Sequence, residues 1–107
     1  MVRIKHRYVL VRFEFEDSAH VQNLEDKVKH GLRNELIANI GSLRYHIVNP
    51  YVIKVDSGTL IIRCSLEGMP MLIAALAVIK SIGNENVAFY TIKSSGTIRA
   101  LTAIEKQ

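Results

Sequence analysis

Residues 7–15, RYVLVRFEF, alternate in character. Val9, Val11, Phe13 and Phe15 fall on one side of an extended chain, and Tyr8, Leu10, Arg12 and Glu14 on the other. That period of two predicts a strand with one buried face and one mixed face. The period then changes. Leu24, Val28, Leu32, Leu36 and Ile40 recur every four residues, which predicts a helix with a single apolar stripe. Asn23 is placed to cap it, Glu25 and Asp26 occupy the first turn where the macrodipole favours acids, and Gly41 is a natural stop.

From Leu43 to Val55 and from Thr59 to Leu66 the chain reads as two strands joined by the turn DSG. Pro50 marks the first of them as an edge strand or a broken one. Pro70 suits the first turn of a second helix that runs to Gly83. NVAFYTI, beginning at Asn86, makes a fourth strand, and SSGTIRA, beginning at Ser94, leads into a short third helix with Ile98, Leu101 and Ile104 on its apolar side. Strand, helix, strand, strand, helix, strand and a terminal helix predict an α+β fold. Two split strand–helix–strand units give a ferredoxin-like, RRM-like sandwich: a four-stranded antiparallel sheet with two helices on one face, plus a short C-terminal helix, in a single domain over residues 1–107.

The second helix is apolar nearly all round from Met71 to Ile79. In a two-layer sandwich its outer side should meet water, so the surplus predicts a protein partner there, with Met71, Leu72, Leu76 and Ile79 as the contact. The bland account of the same residues is core.

Charge changes the picture further. Fourteen Lys and Arg against ten Asp and Glu leave a net +4 in 107 residues. Arg3, Lys5, Arg7 and Arg12 all precede the first acid, so the excess is concentrated at the start, an arrangement suited to a polyanion. Cys64 is the only cysteine, which rules out a disulfide framework, and within LIIRCSL it reads as a small buried strand residue. The basic N-terminus lacks the apolar core of a signal peptide, and MPMLIAALAVI contains Pro70 and is too short for a bilayer. These readings favour a soluble intracellular protein with no membrane partner.

Protein-borne catalysis finds little support in the residues. Glu14 and Glu16 share a face but read as a solvated strand rim, and His6, His20, His30 and His46 lie on different elements without ligand spacing. Ser94 and Ser95 lack a nucleophile elbow. An acylphosphatase-like hydrolase on this sandwich needs a glycine-rich, arginine-bearing loop after the first strand, where this chain has EDSAHVQN. Base readout by an ordinary RNA-recognition motif needs aromatics on the central strands, and TLIIRC has none; Tyr8 and Tyr90 could stack bases but read more readily as buried or interfacial tyrosines, which leaves recognition of the nucleic-acid backbone. No catalytic or metal-binding residue is assigned.

Arg99 stands in the first turn of the terminal helix, where a cation opposes the macrodipole unless an anion lies beside it. A phosphate would turn that conflict into a three-way attraction between N–H groups, guanidinium and anion. The alternative is that Arg99 turns away to an acid such as Glu105.

Three stretches, VRIKHRYVL at the start, GTLIIRC in the third strand and SSGTIRA before the terminal helix, resemble in order and register the Pop-five protein subunit family of ribonuclease P, a family shared with ribonuclease MRP in eukaryotes. Between Ser18 and Val55 the likeness is one of pattern alone. The resemblance implies a protein subunit of the RNA-based endoribonuclease that removes the 5′ leader of precursor tRNA. It implies no bound cofactor, with Mg2+ on the catalytic RNA performing the hydrolysis. By motif, Arg3, Lys5, Arg7, Arg63, Gly96, Thr97 and Arg99 map to RNA binding, Arg63 either reaching RNA across the sheet or bracing Glu14. Implied partners are the ribonuclease P RNA, a larger barrel-like subunit and a second copy of the chain. The implied compartment is the cytoplasm of an archaeon, which the short chain favours, or the nucleus and nucleolus of a eukaryote. The chain ends at AIEKQ without the basic tail of many relatives. The reading that competes with this one is a ferredoxin-like interaction module with non-specific RNA binding.

Overall fold

The structure, a computed structural model, describes residues 5–17 and 23–105. In chain order the elements are β1 (His6–Phe15), α1 (Leu24–Ile40), α2 (Ser42–Val48), β2 (Tyr51–Val55), β3 (Thr59–Ser65), α3 (Met69–Val78), β4 (Ser81–Ile82), β5 (Glu85–Ser95) and α4 (Ile98–Glu105). The five strands form one sheet in the order β2-β3-β1-β5-β4, with every neighbouring pair antiparallel.

The alternation of β1 works as its sequence dictates. Val9, Val11 and Phe13 turn to one face, where Leu60, Ile62 and Cys64 of β3 and Val87 and Phe89 of β5 join them. Against this face pack Val28, Leu32 and Leu36, the predicted stripe of α1, together with Leu72, Ala75 and Leu76 of α3. The other face is not bare. Leu10 and Ile61 are covered by Leu101 of α4, which is 0% exposed, with Tyr8 and Ile53 packed around them. The terminal helix therefore seals the middle of the sheet face that the sequence leaves open.

Three local expectations are corrected. The segment from Leu43 to Val48 is helical, not a strand. Gly41, at φ 82°, redirects the chain after α1, and α2 turns only Tyr45 and Val48, three residues apart, toward the core. Leu43 and Ile47 face outward, 76% and 47% exposed. Asn49 ends α2 in the left-handed region, its N–H donating to Tyr45 O at 2.8 Å, and Pro50 then begins the extended path into β2. Pro50 is thus the break, and β2 is an edge strand.

Second, α3 stops at Val78. Gly83, at φ 59°, does not cap it but supplies a two-residue Gly83-Asn84 turn between β4 and β5, the fifth strand that hydrophobic patterning did not reveal. Ile82 of β4 packs into α1 where Gly31 leaves room, and a Cβ on Gly31 would overlap Ile82 Cγ2. Third, Asn23 does not cap α1. It adopts φ 52° with no side-chain bond to the helix, and only its carbonyl is used, accepting from Lys27 N at 2.9 Å. Among the described residues, no helix is long and apolar enough to cross a membrane.

Candidate nucleic-acid interface

The register of the sheet brings the basic start of β1, the Arg63–Cys64 end of β3 and the SSGTIRA stretch to one end of the molecule. Arg7 lies opposite Cys64, and Tyr8 lies between Arg63 on β3 and Ser95 on β5. Arg63 in turn faces Tyr51 on β2. The row Ser95, Tyr8, Arg63, Tyr51 thus crosses four strands. Lys5 is held at the same end, because Leu66 N–H donates to its carbonyl at 2.9 Å.

The turn from β5 into α4 meets this row. A Cβ on Gly96 would lie 3.1 Å from Arg7 Nη1, so glycine there lets the Arg7 guanidinium lie against the backbone just ahead of α4. Thr97 is the helix cap: its Oγ1 accepts from Ala100 N–H at 3.2 Å, while Ser95 Oγ accepts from Thr97 N–H at 3.3 Å. Two donors at the helix start are therefore satisfied by hydroxyls. Attraction for an anion at this point rests on the guanidinium groups and the helix dipole more than on bare N–H groups. Arg99 stands exposed in the first turn.

Arg63 does not brace Glu14. Its Cζ stands 5.3 Å from the centroid of the Tyr51 ring, a cation–π contact that fixes the guanidinium over the sheet edge. Arg12 takes Glu14 instead, at 2.8 Å. Several acids lie at the opposite end of β1. Glu16 accepts from Asn86 Nδ2, Glu85 meets Lys27 at 3.2 Å, and Asp56 meets Lys54 at 3.6 Å. The paired carboxylates of Glu14, Glu16, Glu85 and Asp56 thus lie toward the end of β1 and the site cations at its start, where one acid, the exposed Glu67, follows Leu66.

Of the sequence-predicted site, Lys5, Arg7, Arg63, Gly96, Thr97 and Arg99 come together at this end. Arg3 lies outside the described residues, as do His20 and the side chains of Ile104 and Glu105. Tyr90 is 51% exposed but pairs with Arg12, far from the row. Tyr51 was missed. Its only signal is the cross-strand register with Arg63, which no local pattern encodes.

The apolar helix is also redistributed. Leu72, Leu76 and Ile79 are 0%, 1% and 3% exposed, committed to this chain's own core, and Met71 is half-buried. The outer surface of α3 is carried by Ala74, Ala77 and Val78. Cys64 is fully buried, and desolvation pushes its thiol up to about 11, which keeps it protonated and poorly nucleophilic. Among the described residues, no three His, Cys, Asp or Glu side chains gather to hold a metal ion.

Comparison with known proteins adds three findings. The model of the Rpp14/Pop5 family matches residues 7–104. Ribonuclease P protein component 2 of Methanosphaerula palustris is 33% identical over 105 residues, covering 94% of this chain and 61% of the relative, so the chain spans about three fifths of that protein. In the solved structures, a chain of yeast ribonuclease MRP aligns with a TM-score of 0.69 and 14% identity, over 100% of this chain and 95% of that one, a likeness of fold.

Proposed function

Because this chain belongs to the Rpp14/Pop5 family, we propose that it is a protein subunit of ribonuclease P, binding the catalytic RNA and holding it in its active shape while that RNA removes the 5′ leader of precursor tRNA. The relative named as a ribonuclease P component supports the reading. The observation that carries it is the contact of Arg7 with Gly96, which joins the basic start of the chain to the GTIR stretch of its last helix. One cationic surface, built from Lys5, Arg7, Arg63 and Arg99, can follow a phosphate backbone. The order of the four longer strands, β2-β3-β1-β5, supports describing the fold as ferredoxin-like and RRM-like.

In this account the chain contributes charge and shape but no reacting group. Mg2+ on the RNA activates the water, and the protein lowers the repulsion between RNA segments that must approach for that metal to be placed. A larger barrel-like subunit and a second copy of the chain are the protein partners. The exposed apolar side chains Leu43, Ile47 and Val78 are the surface offered to them, in place of the buried Leu72, Leu76 and Ile79. The compartment is the cytoplasm of an archaeon, or the nucleus and nucleolus of a eukaryote.

The test is reconstituted cleavage of precursor tRNA at limiting Mg2+. Arg99→Glu, which alters an exposed residue, is expected to impair cleavage, with raised Mg2+ restoring it and the isolated chain still unfolding in one cooperative transition. Full activity of Arg99→Glu at limiting Mg2+ would defeat the proposal that this end of the sheet meets the RNA.

A further inference from the structure

The row that ends at Tyr51 continues into a second feature. Between α1, α2 and β2 lies an open cleft of about 340 Å³, to which Tyr51 also belongs. Its floor is apolar, made by Leu32, Leu36 and Ile62. Tyr45 of α2 stands with Tyr51 as its aromatic lining, and Lys29, His30 and Arg33 of α1 form a basic rim whose lining includes no carboxylate, Glu25 reaching it only through Lys29. Lys29 is paired with Glu25 at 2.9 Å, a hydrogen bond that raises its pKa and so keeps it an ammonium; His30 and Arg33 are exposed.

An occupant must match all three properties at once. It needs a flat apolar body for the tyrosines and the floor, a negative charge for the rim, and a size near the lower end of small-ligand sites, which begin at about 300 Å³. A nucleoside with its phosphate has that combination, because every base presents a π-face that stacks on an aromatic side chain. Continuity decides between this occupant and an acidic peptide laid along the edge strand β2. Tyr51 lines the cleft and its ring also lies under Arg63, so a strand with a phosphate on Arg63 meets the cleft mouth at the edge strand β2.

We propose that this cleft receives one unpaired nucleoside of the bound RNA, its base against Tyr45 and Tyr51 and its phosphate on Arg33 and Lys29. The inference rests on the reading that the Arg7 end follows an RNA backbone, and it adds a base-dependent subsite to that surface.

The experiment measures binding of the full chain to two eight-unit single-stranded probes, an adenosine oligonucleotide and the same ribose–phosphate backbone with every base removed. The intact probe should bind at least about five-fold tighter, the low end of what one base–aromatic stack is worth. That gap should close in Tyr51→Ser and shrink in Arg33→Ala, both at exposed positions, and persist in Tyr90→Ser. Amide shifts on titration with adenosine monophosphate should fall on residues 29–33 and 45. Equal binding of the two probes, salt-dependent and weakened by Arg7→Ala, would overturn the subsite and leave the backbone reading standing. A gap abolished by Tyr90→Ser and not by Tyr51→Ser would overturn it too. Failure of either probe to bind would remove the backbone reading and the subsite together. A peptide of Asp, Glu and Phe that shifts the cleft amides, when the oligonucleotide does not, would assign the cleft to a protein strand and overturn the proposal.

Discussion

Arg7 and Arg12 carry the same charge on the same strand, yet the structure gives them opposite roles. Arg7 reaches Gly96 at the cationic end, whereas Arg12 is spent on Glu14 at 2.8 Å near the acidic one. Lys5, Arg7, Arg63 and Arg99 set a log–log slope of RNA affinity against salt of about −3, at roughly −0.7 per phosphate for a single strand. Arg7→Ala should reduce that slope by about 0.7, or about 0.9 if the contacted segment is duplex. Because the ionic contribution vanishes toward 1 M salt, a change of that size amounts to about a four- to six-fold loss of affinity at 0.15 M. Arg12→Ala should leave the slope unchanged. The assay is filter binding or fluorescence anisotropy with the RNA, from 0.05 to 0.5 M salt at fixed Mg2+. Equal changes in slope for the two variants would show that the chain attracts RNA by its net charge alone, and the placement of the cations would have no bearing on binding.

Gly31→Ala gains about 1 kcal/mol of helix propensity, but its Cβ would overlap the buried Ile82, so a net loss of about 1–3 kcal/mol is expected in denaturant unfolding. In an Ile82→Ala background the sign should reverse, and a loss there as well would refute the packing argument. Leu101→Ala should cost about 2–5 kcal/mol and free α4 from Leu10 and Ile61, read as loss of amide protection in residues 98–101 with the strands still protected. Cys64 has a folded-state pKa raised by burial to about 11, so its contribution is present below the unfolded value of 9.0 and is lost as pH rises through that window. Between pH 8 and pH 10 the wild type should lose about 1 kcal/mol more than Cys64→Ala, and identical losses would mean the thiol is not desolvated.

The elements with one strong period were legible before any coordinates. The α1 stripe buries Val28, Leu32 and Leu36, with Leu24 and Ile40 half-buried at its ends, and β1 buries Val9, Val11 and Phe13 as its alternation names, with Phe15 half-buried. Errors arose where tertiary contacts outvote local pattern. LRYHIV alternates like a strand, but its outward Leu43 and Ile47 show that only the three-residue spacing of Tyr45 and Val48 is used. β4 is two residues long and exists because Ile82 finds the space over Gly31, a fit between segments that sequence periodicity does not carry. The apolar surplus of α3 resolves into core at Leu72, Leu76 and Ile79, with small alanines outside. For the site, the cations and the GTIR stretch were visible as residues, but their meeting was not. Arg7 and Gly96 are brought together only by the pairing of β1 with β5, and Arg63 finds Tyr51 only through the pairing of β3 with β2.

Whether this chain works on one structured RNA is decided by purifying the tagged protein from its own cells at low and high salt and sequencing the RNA that accompanies it. A single structured RNA should be recovered with precursor-tRNA cleavage in the same fraction, and both should be lost when Arg7 and Arg99 are each changed to Glu. Scattered RNA that washes away with salt, with no cleavage in the fraction, would contradict it.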